Sequence, residues 1–401
     1  MAGKVVIARI VGIDLTRSVA IFFAMLSHVW VITAMDRFWS GPSADLLRAS
    51  MALATPTFVL LFGTMLEIVY RPKFILGERR LVTMRLFSRA IQCWLLYCLS
   101  VVVLYVLSDD YSLKFSLATM MLLGVTPFTD ILKFYAVVLF LAPILLQLRE
   151  RIGLLPLLFG ALVVHAAHPI LRGLPSPADF QMSLYAERVV TFLFGVGDAQ
   201  LGGPSILHGL SLVIAGMVFG RLIAGNRAAG SLMKGSVEKR ALFLLAGSAL
   251  ALTVGAFSGR ETLLAELGDM SLRMDSDPLY FAAGLCGAVA LTCLAVIVTQ
   301  GLSDDRKKKM EMFVFFGRTS LFTFAFGNII LYAWMGSAES RTSAVLQALS
   351  ISAIIIVLSY LFDREMRHGG RLAALVGNLQ AKITSFVKIL MSLGGPKLRQ
   401  T

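Results

Sequence analysis

Long apolar runs alternate with short charged segments along this 401-residue chain. The runs long enough to cross roughly 30 Å of hydrocarbon are 16–35, 51–70, 86–107, 130–148, 152–171, 205–225, 240–257, 279–301, 312–334 and 343–362. None shows the two-residue alternation of an outer-membrane barrel strand. An eleventh apolar piece, Leu113 to Val125, is too short for a crossing and reads as a re-entrant or interfacial segment. The pattern predicts an all-α fold, a polytopic integral membrane helix bundle of about ten transmembrane helices plus that short segment. Residues 1–363 would form the membrane-embedded domain and residues 364–401 a basic cytoplasmic tail. In the tail, "LAALVGNLQAKITSFVKILMSL" is apolar and basic by turns, as an amphipathic helix lying on the inner membrane surface would be.

Composition agrees: 57% of residues are hydrophobic, 15% are charged and the mean hydropathy is +0.79, whereas soluble domains carry about 25% charged residues. Charge then orients the spans. The 71–85 loop carries Arg71, Lys73, Arg79, Arg80 and Arg85. The 221–240 loop is basic too, 302–311 contains "DDRKKK", and the tail adds Arg364, Arg367 and Arg371. Segment 258–278 is acidic on balance. All the basic segments share one side if 113–125 does not cross, which places both termini in the cytoplasm. The longest outer loop is then Arg172 to Pro204. The net charge of +13 reflects these loops; no basic stripe interleaved with aromatics points to nucleic acid. The first apolar run has no small-residue cleavage site and reads as a retained span. Cys93, Cys98, Cys286 and Cys293 all sit in apolar runs and read as packing residues.

Candidate chemistry begins in "DLTRSVAIFFAMLSHVW", Asp14 to Trp30. Arg17 and His28 are eleven residues apart, three helical turns plus about 20°, so they share a face but stand about 16 Å apart along the axis. Arg17 belongs at the inner rim, where Asp14 can pair with it, and His28 near mid-membrane. A buried ionisable group there is either functional or a histidine hydrogen-bonded to a neighbouring helix. Arg85 and Arg89 open the third span on one helical face; they suit phosphate recognition or simple positive-inside anchoring. Asp130, Lys133 and Tyr135 open the fourth span, where they could bind a hydroxyl-rich acceptor or form an interfacial salt bridge. Arg318 and Ser320 stand in "FFGRTSLFTFAFGN". An arginine at that depth needs a partner or a wet cavity, and Glu67 is the expected partner. Ser27, Ser320 and Asn328 are possible oxyanion donors. His165 and His168 lack the neighbouring ligands of a metal site, and His208 reads as interfacial; no metal is expected.

With Arg17 and His28 in the first span and Arg85 and Arg89 opening the third, the chain resembles the acyltransferase-3 superfamily of membrane O-acyltransferases. "IDLTRSVAIFFAMLSH", "TPFTDILKFYAVVLFLAPILL" and "FFGRTSLFTFAFG" are most similar to the OpgC-type osmoregulated periplasmic glucan succinyltransferases, and their order covers most of residues 13 to 330. The second span departs, with Phe62 where the family has a serine before the glycine; the Trp-Gln pair ahead of "HGLSLVIAGMVFG" is also missing. The resemblance implies transfer of a succinyl or acetyl group from cytoplasmic acyl-CoA, as co-substrate, to a hydroxyl of a cell-envelope glycan. Arg17, Arg85, Arg89 and Arg318 would face the donor, His28 would be general base, and Arg17 and Ser320 would assist it. Asp130, Lys133 and Tyr135 would face the acceptor. A multi-pass transporter or flippase of a polar or lipid-linked solute is the alternative, since buried Arg, Glu and His also serve carriers; a non-catalytic scaffold or sensor with such a membrane domain is a third reading.

Overall fold

The structure is a computed structural model. It describes residues 10–197, 205–224, 236–257, 263–300, 302–310, 314–334 and 338–393. Among these no strand occurs and every regular element is helical, as the apolar runs require: with no water to satisfy backbone groups, a spanning segment must bond to itself. Among the described residues seven helices are long and apolar enough to cross a membrane: α1 (Val11–Ile32), the near-continuous Pro42–Ile75, α5 (Arg79–Leu107), α7 (Asp130–Ile152), α11 (Ile206–Ala224), α15 (Pro278–Gln300) and α19 (Arg341–His368). Pro42–Ile75 comprises α2 (Pro42–Ala52), α3 (Ala54–Met65), a π-helical turn over Leu66–Tyr70 and α4 (Arg71–Ile75).

The other three expected spans take different forms. Run 152–171 splits into α8 (Leu154–Ala166) and α9 (His168–Arg172), with a 49° bend at the break; counted as one crossing, it makes eight. Run 240–257 becomes α12 (Val237–Phe257), which opens on Glu238, Lys239 and Arg240. Run 312–334 breaks at Thr319 into α17 (Phe315–Arg318) and α18 (Ser320–Ala333), and α18 has only 14 residues. The short segment 113–125 holds α6 (Leu113–Met120), eight residues capped by the Ser112 hydroxyl on the Phe115 N–H. The long loop 172–204 contains α10 (Leu184–Phe194), and its residues 198–204 lie outside the described residues, as does most of the 221–240 loop. Segment 263–278 forms α13 (Leu263–Gly268) and α14 (Ser271–Met274), and "DDRKKK" forms α16 (Asp304–Met310). The tail forms α20 (Arg371–Leu393) after Gly369, whose φ of +69° ends α19.

Glycine permits the closest packing. A Cβ on Gly63 of α3 would collide with the Val213 carbonyl of α11, and one on Gly216 would collide with the Leu60 carbonyl. Thr64 Oγ1 donates across the same seam to Gly216 O at 3.1 Å. Small residues that bring backbones together are how helices associate where lipid removes the hydrophobic driving force.

These contacts give the bundle two distinct ends. Gly12 of α1 abuts Val296 near the end of α15, while Pro56 and Leu53 at the start of α3 abut Gly284 and Gly287 near the start of α15. One end therefore carries Arg17, and the other carries Trp30, α2 and the start of α3. The α13–α14 segment sits at the Trp30 end, with Gly268 against Arg48 and Ala49 of α2.

Candidate functional site

The site is built on α1 and α18, which run side by side. The Gly317 N–H donates to Ser18 Oγ at 2.8 Å, and Gly327 lies against Met25. One turn further along α1, His28 Nδ1 is 2.7 Å from Asn328 Oδ1. The Asn328 Nδ2 amide donates to Phe324 O at 2.7 Å, which turns Oδ1 toward the imidazole. The network therefore assigns the proton to Nδ1 and leaves Nε2 with a lone pair. Phe128 stacks on the ring at 4.7 Å and Phe324 meets it edge-on at 5.6 Å. Among the described residues Nε2 has no hydrogen-bond partner and is not sealed from the cavity beside it.

That cavity has a volume of about 1360 Å³, beyond the ~300–1,000 Å³ usual for a drug-sized ligand. At the Arg17 end it is lined by Arg17, Arg89, Arg318 and Arg367; it passes His28, Ser27, Phe62 and Tyr135, and ends at Met51, Met270 and Arg273. Its flank between α5, α18, α19 and α20 is formed by Leu95, Leu99, Phe326, Leu358 and Leu379, all exposed on the bundle surface. α20 supplies part of its wall through Leu372, Leu375, Val376 and Ile383. A side pocket of about 240 Å³ lies between α5 and α20 and contains Arg85, Ser88 and Thr384; it shares Tyr70, Arg89, Gln92 and Gln380 with the main cavity.

The structure thus gathers Arg17, Ser27, His28, Arg89, Tyr135, Arg318 and Ser320 around one space and places Arg85 in its side pocket. Asn328 stands behind His28. Asp130 and Lys133 do not join them, which corrects the expected acceptor cluster. Asp130 Oδ1 accepts from Thr126 N and Oγ1, both at 2.9 Å, and from the Tyr97 hydroxyl at 3.4 Å. Lys133 Nζ donates to Gly124 O at 2.9 Å, lies 3.6 Å from Asp130 Oδ2 and sits over the Phe192 ring. Spaced three apart on α7, the pair turns into the protein, where an ionic side chain must be matched. It ties down residues 124–130, and with them Phe128 under the imidazole.

The expected Glu67–Arg318 pair is also replaced. Glu67 accepts from Arg149 at 2.9 and 3.3 Å, with Arg71 at 3.4 Å. Arg318, at the break between α17 and α18, donates to both oxygens of Asp363 at 2.9 and 2.8 Å, and Arg367 lies 2.9 Å from the same carboxylate. Asp14 does pair with Arg17, loosely, at 3.8 Å. Asp363 is marked in the sequence only as the first charge after the "LSYLF" apolar run. Nothing local marks Arg273, which sits among acidic neighbours.

His165, His168 and His208 converge, with ring centroids 5.4 and 5.9 Å apart about His208. Ser211, the Asp275 carbonyl and Ser205 each take one ring nitrogen. Among the described residues no group of three His, Cys, Asp or Glu is placed to hold a metal ion. Compared with known protein families, curated proteins and solved structures, the chain matches none.

Proposed function

We propose that the chain is a membrane O-acyltransferase of the bacterial inner membrane, moving a succinyl or acetyl group from cytoplasmic acyl-CoA to a hydroxyl of a cell-envelope glycan. One observation carries the reading: His28, its Nδ1 held by Asn328, turns a free Nε2 onto a cavity that extends to a cluster of arginines. The Arg17 end would take the donor. The CoA phosphates would lie against Arg85 and Arg89, which have no carboxylate within salt-bridge distance among the described residues, with Arg17 behind them; bidentate guanidinium contacts suit phosphate. Arg318 would serve less as a phosphate ligand, since Asp363 already balances it. From there the thioester arm would run about three helical turns along α1 to His28.

The step balances without a cofactor. His28 Nε2 takes the proton from the acceptor hydroxyl as the oxygen attacks the thioester carbonyl. The tetrahedral oxyanion forms beside Ser27, next in sequence to His28, whose hydroxyl can donate to it, while Ser320, about two turns before Asn328 on α18, lines the cavity nearer the Arg17 end. The C–S bond breaks, the ester remains, and the imidazolium returns its proton to the departing CoA thiolate.

The test is His28→Ala and His28→Gln in the full-length protein, with CoA thiol release and the mass of envelope glycans as readouts. Both variants are expected to purify as folded protein and to lose glycan acylation. Retained acylation would end the enzyme reading, and solute uptake into proteoliposomes without CoA release would establish a carrier instead.

A further inference from the structure

Five arginines line the cavity, against one carboxylate, Asp363. At the Arg17 end the positive charge is partly answered: Arg318 and Arg367 share Asp363, Arg17 has Asp14, and Arg89 donates to Gln92 Oε1. Arg273 stands alone at the Trp30 end. Its Nε is buried with no hydrogen-bond partner, its Nη1 meets only Met270 Sδ at 3.9 Å, and no carboxylate pairs with it among the described residues. The acids of its own segment are engaged elsewhere. Asp275 pairs with Arg172 at 3.1 Å, while Asp269 and Asp277 accept from the Ser271 and Leu279 N–H groups. A part-buried guanidinium with a buried, unpartnered Nε and no counter-charge is better satisfied when an anion arrives.

The position of Arg273 says which substrate brings that anion. A CoA ester supplies its phosphates at the Arg17 end, with His28 between it and Arg273. An acceptor reaching His28 from the Trp30 end passes Arg273 first. Resting on the acyltransferase reading, we propose that Arg273 binds a carboxylate or phosphate of the acceptor, so that the chain acylates an anionic glycan at a hydroxyl near its charged group. Arg273 then acts as a selectivity residue, registering the sugar so that one hydroxyl faces His28 Nε2.

The experiment measures CoA release by purified full-length protein with methyl β-glucuronoside and methyl β-glucoside as probe acceptors, in wild type, Arg273→Gln and Arg273→Lys. Wild type should prefer the uronide at least tenfold. Arg273→Gln should reduce that preference to near unity by raising KM for the uronide alone, and Arg273→Lys should keep part of it. Equal rates on the two probes in wild type, or an undiminished preference in Arg273→Gln, would overturn the proposal. So would a change confined to the choice between succinyl-CoA and acetyl-CoA, which would assign the anion to the acyl chain. Absence of CoA release with every acceptor, envelope glycan extract included, would remove the acyltransferase reading and this inference with it, whereas release without charge selectivity removes this inference alone.

Discussion

Asn328→Ala isolates the part of the site that orients the imidazole without touching substrate. Asn328 does not line the cavity, and its Oδ1 is the acceptor for His28 Nδ1 at 2.7 Å. Truncation leaves a part-buried N–H unpaired, a loss of about 1–3 kcal/mol, and frees the ring to place its proton on Nε2, where it cannot act as base. If that energy is lost only in the reacting geometry, each 1.36 kcal/mol is tenfold, so kcat should fall roughly 5- to 150-fold. KM for acyl-CoA should hold, because the arginines at the far end of the cavity are untouched. Asn328→Asp keeps an oxygen facing Nδ1 and should recover most of the rate. The assay is CoA thiol release on glycan extracted from the cell envelope, with melting in detergent as a check on folding. Full kcat in Asn328→Ala, a loss confined to KM, or an aspartate variant as slow as the alanine would each refute the assignment of Nε2 as the base.

Three further substitutions probe the frame. Asp363→Asn leaves Arg318 and Arg367 without their shared carboxylate and should destabilise by about 3 kcal/mol, read as a lower melting temperature in detergent; an unchanged value would mean that water already serves both arginines. Gly63→Ala sets a methyl on the Val213 carbonyl, an overlap that only backbone movement relieves, so about 3 kcal/mol or more should be lost, seen as poor yield of folded protein. For the donor site, thermal stabilisation by acyl-CoA should be weakened by Arg85→Ala, more by Arg89→Ala, which faces both pockets, and abolished by the double variant. Undiminished stabilisation would return both residues to topological anchoring.

The helical class and most of the long elements were legible because membrane spans announce themselves one at a time: a run of apolar residues must satisfy its own backbone wherever it packs. The face shared by Arg17 and His28 was legible for the same local reason, a fixed 100° per residue. What failed was everything decided by a neighbouring helix. Depth alone pairs Glu67 with Arg318, but α7 brings Arg149 to Glu67 and α19 brings Asp363 to Arg318. Asp130 and Lys133 look like a rim cluster until the turn at 124–129 folds over them. The run at 312–334 reads as one continuous span, yet Thr319 interrupts it where Gly317 must approach the Asp14 carbonyl of α1. The tail is legible as amphipathic, but part of its apolar face walls the cavity while Phe386, Ile389, Leu390 and Leu393 stay exposed.

Partnership, rather than depth or helix face, separates structural arginines from binding ones here. Arg149 and Arg71 converge on Glu67, beside Glu150, and Arg318 and Arg367 converge on Asp363. The first group is balanced and the second shares one carboxylate between two guanidiniums, and the geometry of each ties helices together. Arg89 and Arg273 are different. They face the same cavity from opposite ends with no carboxylate in reach among the described residues, so the charge of each is open to an anionic ligand. A carrier with one anionic solute would need a single site of that kind, moved between two openings. Two such arginines, on either side of His28 in one cavity, favour the proposed reaction of two charged substrates over a carrier.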